Sequence, residues 1–218
     1  MITRFTQRRH YLPQEEVANW ITHGAATLVA VVGMIQLLLL AFHQGNSWQL
    51  IGSAVFGLSM VLLYLASTVY HAVPERLHAA KQRGRRYDQA AIFLLIAGSY
   101  TPFILANMRT VVGWSLLAFV WVIALLGIYG ELAEKLHSTA IRVGIYLAMG
   151  WSAVLATGSI IHVLPIQALV LIGLGGVAYT IGVVFFLWRQ LPYHHAIWHL
   201  FVIAGTAFHF AAVFYYTL

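Results

Sequence analysis

The sequence predicts an all-α membrane protein, a bundle of seven transmembrane helices with its N-terminus in the cytoplasm and its C-terminus outside. Composition is the first reason, because 61% of the 218 residues are hydrophobic and only 8% are charged. A water-soluble domain needs more ionic groups than that on its surface, so lipid must surround most of this chain. The other two reasons are the lengths of the apolar runs and the placement of the positive charges.

Seven apolar stretches are long enough to be membrane spans, since about 20 residues of helix cross the hydrocarbon core. We place them at roughly 17–41, 48–71, 88–107, 111–130, 140–160, 165–188 and 195–217. Four of the five prolines fall at or between the predicted helix ends, where a missing N–H costs little. The chain therefore divides into an N-terminal tail, residues 1–16, and a transmembrane domain, residues 17–218.

The positive charges predict the orientation. With seven helices in these places, all but one of the 12 Lys and Arg residues fall on the same side as the N-terminal tail, and the exception is Arg109. Short cytoplasmic loops carry such an excess of Lys and Arg. The tail is therefore expected inside the cell. The same distribution explains the net charge of +6 without a nucleic-acid partner.

Polar residues of three predicted helices converge on the cytoplasmic side. Ser67 and His71 end the second helix, Asp88 opens the third, and His195 and His199 begin the seventh. Ionisable groups inside spans are costly and tend to mark functional sites. We expect the basic run of residues 81–86 to form a loop facing the lipid headgroups, and we expect the neighbouring His194 to lie at the membrane interface.

The spacing of the histidines indicates a metal site. His195 and His199 are four residues apart and project from the same face of a helix, and His71 from another helix would complete three nitrogen ligands. The chain has no cysteine, so thiolate ligands are excluded. Three neutral imidazoles favour Zn²⁺ over Mg²⁺ or Ca²⁺ and leave a fourth position for water.

Asp88 and Ser67 are the candidate catalytic residues beside this metal. Asp88 is either a fourth ligand or the group that holds the metal-bound water and accepts its proton, and Ser67 would orient that water. We prefer the roles around the water. A zinc-bound water has a pKa of about 7 and can attack an acyl carbon at neutral pH, which is the chemistry of an amide or ester hydrolase.

A second polar face lies at the start of the first helix, where Glu16, Asn19 and His23 recur at helical spacing. It is placed to line the same cavity, and we favour hydrogen bonding between helices over metal ligation as its role. His209 is about 15 Å further along the seventh helix than His199. One ion cannot reach both, so His209 would line a deeper part of the cavity.

Several of these motifs together resemble a known family. They are residues 67–71 (STVYH), Asp88, residues 97–103 (AGSYTPF) and residues 195–199 (HAIWH). They are similar to those of the bacterial hemolysin-III-like, membrane-homeostasis proteins of the progestin and adipoQ receptor family. The likeness extends from residues 15–19 to the end of the seventh helix. One departure is Gln89, where bacterial relatives often have histidine.

The resemblance implies a seven-helix fold with the N-terminus inside and a zinc held by His71, His195 and His199. It also implies that Asp88 and Ser67 surround the bound water. Related adiponectin receptors and alkaline ceramidases imply lipid amide hydrolysis, whereas the bacterial members are linked to membrane fluidity and, by name, to haemolysis. A multi-pass protein of the bacterial inner membrane is the expected location.

The functional prediction is a zinc-dependent hydrolase of a lipid amide or ester, with membrane lipids as partners and a lipid-like substrate. The alternative is a non-enzymatic membrane sensor or regulator in which zinc only ties helices together. A transporter is disfavoured because no carboxylate lies in mid-membrane. A retinal protein is disfavoured because Lys81 and Lys135 fall in predicted loops. The sequence leaves the oligomeric state open.

Overall fold

The fold is a bundle of helices, seen in a computed structural model that describes residues 11–218. Within that range every regular element is helical, and seven spans are long and apolar enough to cross a membrane, which confirms the predicted fold class. The α-helices are α1 (Pro13–Gln44), α2 (Ser47–Ala72), α3 (His78–Asn107), α4 (Val111–Leu132), α5 (Thr139–Trp151), α6 (Thr157–Val163), α7 (Ile166–Leu187) and α8 (His194–Tyr216).

The fifth span is interrupted, although the sequence predicts one run over 140–160. A 3₁₀ segment, Ser152–Ala156, separates α5 from α6. Tyr100 of α3 supports the break, because its hydroxyl lies 2.8 Å from the carbonyl oxygens of both Met149 and Gly150 and accepts the N–H of Ala153. Backbone groups that lose helical partners inside a membrane must be satisfied in this way.

Short polar side chains cap the starts of three helices. Gly45 adopts a left-handed φ of 67° at the end of α1, and the side chain of Asn46 then accepts the N–H of Trp48 to begin α2. Thr110 and Ser138 accept backbone N–H groups in the same way at the starts of α4 and α5. These tight connections make consecutive helices antiparallel neighbours.

Two helices begin several residues earlier than predicted. α1 begins at Pro13 rather than at 17, because proline fits the first turn and the Glu15 carboxylate accepts the N–H of Leu12. α3 begins at His78 rather than at 88, so the basic run of residues 81–86 is helix and the loop prediction was wrong. Asp88 therefore does not open α3 but lies about three turns inside it. The predicted basic tail segment with Arg4, Arg8 and Arg9 lies outside the described residues.

The apolar core has two parts that share α3. One packs α1, α2, α3 and α8 around Leu37, Phe56 and Leu63, and the other packs α3, α4 and the fifth span around Phe93 and Val120. α3 contributes to both parts because it lies between them. Asp88 on this central helix is therefore held against the residues of α2.

Candidate metal centre

Three buried histidines meet where α2 ends and α8 begins. One ligand atom from each of His71, His195 and His199 lies within 4.8 Å of the others. The ring centroids are 5.0 Å apart for His71 and His195, 5.2 Å for His71 and His199, and 4.6 Å for His195 and His199. The three side chains that sequence spacing predicts to converge are therefore together, in a cluster that could hold a metal ion.

Glu16 of α1 orients the first of these rings. Its Oε2 lies 2.5 Å from Nδ1 of His71. A carboxylate only accepts, so Nδ1–H of His71 donates to Glu16 and Nε2 keeps its lone pair. Asn19, one turn further along α1, places its amide nitrogen 3.4 Å from the same Nδ1. A carboxylate behind a histidine is the usual support of a metal ligand.

Thr22 of α1 orients the ring of His199 in a similar way, through a hydrogen bond to its Nδ1. Its hydroxyl is 2.9 Å from the carbonyl oxygen of Ala18 and 2.8 Å from that of Asn19, so its proton is directed at its own helix. The Thr22 oxygen, 3.0 Å from Nδ1 of His199, must then accept the ring N–H. Nε2 of His199 is left with a lone pair.

The donor set fits a metal that prefers nitrogen ligands. Nε2 of His71 and both ring nitrogens of His195 are buried and have no hydrogen-bond partner among residues 11–218. Burying such nitrogens without a partner costs free energy, which an ion bound among them would recover. Imidazole ligands suit zinc and its transition-metal neighbours rather than Mg²⁺ or Ca²⁺.

Asp88 and Ser67 lie beside the cluster rather than in it. The Asp88 carboxylate is close enough to His71 and Ser67 to interact with both electrostatically, but it is not one of the grouped ligands found in the described chain. The Ser67 hydroxyl is fully buried and lies beside the Asp88 carboxylate. Both residues are thus placed next to the histidines on neighbouring helices.

The polar face of α1 adjoins the same cluster, as its position in the sequence predicts. Glu16 and Asn19 approach His71 as described above, and His23 stacks on His199 with ring centroids 3.5 Å apart. Their contacts are hydrogen bonding and stacking, the role favoured from sequence. His194 is not in the grouped ligands; it is 2% exposed, and its Nδ1 lies 3.1 Å from the Phe185 carbonyl oxygen.

Sequence reasoning missed Tyr11, Lys81 and Thr22. The Tyr11 ring lies over the cluster, with centroids 5.1 Å from His195 and 5.9 Å from His71. Burial, with Glu16 and Asp88 nearby, raises the pKa of its phenol above the usual value, so Tyr11 stays protonated. The Lys81 ammonium is buried 2.8 Å from Glu16. The contacts of these three residues leave no pattern in the sequence, because each contact joins residues that are far apart in the chain.

A mostly apolar cavity of about 360 Å³ lies near the cluster. At the near end it is lined by Leu63 and Ile92, one helical turn below Ser67 and Asp88, and by Phe186, whose ring is 5.8 Å from that of His195. It continues to Met108 and Leu164 at the opposite end of the bundle. The candidate metal site therefore has a long apolar compartment beside it.

Comparison with known proteins connects this geometry to a family. A family model described as "Haemolysin-III related" matches residues 11–210. Hemolysin-3 of Bacillus cereus is 38% identical over 221 residues, covering 100% of this chain and 96% of the relative. The Hemolysin-3 homolog of Bacillus subtilis (strain 168) is 37% identical over 203 residues, covering 93% and 94%.

A eukaryotic protein shows the same similarity. The human Monocyte to macrophage differentiation factor is 31% identical over 211 residues, which cover 93% of this chain and 84% of the relative. The family model covers α2, α3 and α8 as far as residue 210, and thus includes His71, Asp88, His195 and His199. From the family model and these relatives, the chain belongs to the haemolysin-III-related family of multi-pass membrane proteins.

Proposed function

We propose that this protein is a zinc-dependent hydrolase that cleaves an amide or ester bond of a membrane lipid and thereby adjusts the composition of the bilayer. The observation that supports this most is the short distance between two features. A cluster of three buried imidazoles lies near an apolar cavity of about 360 Å³, and the ring of the lining residue Phe186 is 5.8 Å from that of His195. A scissile bond at the cluster would leave room for an acyl chain in the cavity.

His71, His195 and His199 would hold the zinc. When bound there, zinc would polarise the carbonyl of the lipid and make water a stronger acid. Glu16 fixes the ring of His71 through Nδ1, and Thr22 fixes that of His199. These contacts keep Nε2 of both rings available and hold them in one orientation, which lowers the cost of binding.

Asp88 and Ser67 would carry out the proton transfer. In this proposal the Asp88 carboxylate accepts the proton of the attacking water and passes it to the leaving nitrogen or oxygen. The Ser67 hydroxyl orients that water. Their support is position, since Asp88 interacts with both Ser67 and His71, and since the Ser67 hydroxyl is fully buried beside it. The apolar wall formed by Leu63, Ile92 and Phe186 would exclude bulk water.

We place the reaction at the cytoplasmic face of a bacterial inner membrane. The support is the charge distribution, because the histidine cluster lies at the end of the bundle that, among residues 11–218, carries every Lys and Arg except Arg109. At the opposite end Trp48 and Trp114 pack together, with Arg109 over the Trp48 ring, as aromatic residues do at a membrane interface.

A non-enzymatic sensor with a structural metal is the second candidate. It is favoured by the position of Tyr11, whose ring lies over His71 and His195 and covers one approach to the cluster. A fully enclosed metal with Asp88 as its fourth ligand would tie α2, α3 and α8 together. The two candidates differ in whether removal of Asp88 also removes the metal.

The test uses purified protein in lipid nanodiscs, with metal content measured by mass spectrometry and lipid products followed over time. We expect about one zinc per wild-type chain and release of free fatty acid from an added lipid amide or ester. The double variant His195→Ala/His199→Ala should lose both. Asp88→Asn should keep the zinc and lose the product. His43→Ala, which changes an exposed histidine, is the matched control and should keep both.

Two results would overturn the proposal. Wild type without stoichiometric zinc would remove the metal site. Zinc in wild type, with no product from amide or ester lipids and loss of zinc in Asp88→Asn, would establish the structural alternative.

A further inference from the structure

One carboxylate joins the beginnings of the first and last helices. Oε2 of Glu15 accepts the N–H of Leu12 at 3.0 Å, and Oε1 accepts the N–H of Tyr193 at 3.0 Å. Leu12 is the N-cap residue of α1, and Tyr193 is the N-cap residue of α8. Glu15 is only 2% exposed, so water competes little for these two hydrogen bonds.

The start of α8 depends on a group outside its own helix. The first N–H groups of an α-helix have no partner within it, and a side chain at the N-cap normally accepts one of them. The side chain of Tyr193 makes no such bond. In a capping box the third helical residue accepts the N–H of the N-cap residue, but in α8 that third residue is Ala196. Glu15 of α1 accepts this N–H instead, and its negative charge is favourable at a helix N-terminus.

The backbone of Tyr193 also has to be held in place. Its φ of 56° and ψ of 17° lie in the left-handed region, which residues other than glycine adopt uncommonly. Such a conformation persists where the surrounding structure fixes it. The hydrogen bond from the N–H of Tyr193 to Glu15 is a contact of this kind, so it helps to set the direction in which α8 begins.

His195 is the metal ligand that depends most on this arrangement. It is the second residue of α8, within the turn that frays first when a helix lacks a cap. The rings of the other two ligands are held by side chains of α1, as described above. Neither ring nitrogen of His195 has a hydrogen-bond partner among residues 11–218. The position of its ring therefore depends on the backbone that carries it and on the packing of neighbouring rings.

We propose that Glu15 is a positioning residue for the metal site, because it caps α8 from α1 and so fixes the first turn that carries His195. This role rests on the metal centre of the proposed function and not on hydrolysis. With it, α1 supports every ligand of the cluster. Glu16 and Thr22 act on imidazole rings, and Glu15 acts on the backbone.

The first experiment measures metal affinity with zinc ions alone. The purified full-length protein in detergent competes for zinc with a chelator of known affinity. Glu15→Ala should bind zinc about five- to tenfold more weakly, as expected for the loss of one helix cap. Glu15→Gln should lose less, because its single amide oxygen can still accept one of the two N–H groups. Glu134→Ala, at an exposed carboxylate, is the matched control and should bind zinc like wild type.

A second substitution separates positioning from a general loss of stability. Tyr193→Gly in the Glu15→Ala background should recover part of the zinc affinity, because glycine adopts the left-handed conformation without steric strain. A general loss of packing would not be reversed by a more flexible residue at this position.

Amide hydrogen exchange of the metal-free protein gives a readout that does not involve zinc. Glu15→Ala should exchange faster than wild type at the start of α8, over residues 193–199, and like wild type in α4. Equal zinc affinity in wild type and Glu15→Ala would overturn the proposal. Unchanged exchange over residues 193–199 would also overturn it, as would faster exchange in all seven spans without recovery of affinity in the double variant.

The role of Glu15 and the hydrolase fail in different ways. Bound zinc without hydrolysis, together with weaker binding in Glu15→Ala, would support the role of Glu15 and reject the hydrolase. Hydrolysis with equal zinc affinity in wild type and Glu15→Ala would reject the role of Glu15 alone. A wild type that binds no zinc would reject both.

Discussion

The second and third spans are buried much more deeply in the bundle than the fifth and sixth spans. In the second and third spans 50% and 61% of the central residues are buried, against 17% in both the fifth and the sixth. The well-buried side carries the histidine cluster and its hydrogen bonds, and the other side is mainly a wall around the cavity. The difference indicates that the polar site lies on the more rigid side of the bundle and that the apolar cavity is enclosed by helices that pack loosely.

Arg142→Met tests what anchors the loosely packed side and should have the largest effect. Arg142 at the start of α5 pairs with Glu131 of α4 and donates to the Leu136 carbonyl oxygen at 2.7 Å, and both charged residues are buried. The variant leaves the Glu131 carboxylate buried and unpaired. We expect the free energy of unfolding to fall by about 3–5 kcal/mol, measured by denaturant titration in detergent.

The control for that variant is Arg86→Met, which breaks the more exposed Arg86–Glu134 pair at 2.9 Å. It should cost less than about 1 kcal/mol. Equal losses for the two arginines would show that the buried pair is not the anchor of the fifth span.

Glu16→Gln tests the rigid side. The glutamine can still approach His71, but it no longer supplies a carboxylate to its Nδ1–H or to the buried ammonium of Lys81. We expect zinc affinity to fall about 10- to 100-fold, measured by competition with a chelator of known affinity. Glu134→Gln, at an exposed carboxylate, should bind zinc like wild type. Unchanged affinity in Glu16→Gln would mean that His71 needs no support from α1.

Two glycine substitutions should change stability in opposite directions by smaller amounts. A Cβ at Gly52 of α2 would lie 2.7 Å from Cα of Pro102, whose backbone cannot move aside. Gly52→Ala should therefore lower the free energy of unfolding by about 1–3 kcal/mol.

A Cβ at Gly144 of α5 would meet nothing within 4 Å. Gly144→Ala should therefore raise the free energy of unfolding by about 0.5–1 kcal/mol. Thermal unfolding in the same detergent measures both. Destabilisation by Gly144→Ala would show that the fifth span packs more tightly than its burial indicates.

The number of spans and the meeting of three histidines could be predicted because both depend on local patterns. Apolar run lengths set the spans, and helix order with four-residue spacing brought His71, His195 and His199 to one depth. The start of α3 was mispredicted because hydropathy detects the hydrocarbon core and not the helix beyond it. Lys81 looked like a surface residue, but across the fold it meets Glu16 and the Tyr70 carbonyl oxygen.

Contacts across the fold also explain the other misses. The break in the fifth span depends on the Tyr100 hydroxyl of α3. The roles of Thr22 and Tyr11 depend on where α8 packs against α1. None of these leaves a periodic trace in the sequence, because each is a single contact between residues far apart in the chain.

The distribution of the three imidazoles along the chain has a consequence for biosynthesis. His71 belongs to the second span, whereas His195 and His199 belong to the last. During synthesis His71 enters the membrane early, but His195 and His199 reach it only when the final helix has been inserted. Any metal that needs all three can be acquired only by a completed polypeptide, so a chain that stops short would remain without it. Metal occupancy would then distinguish finished molecules from incomplete ones in the cell.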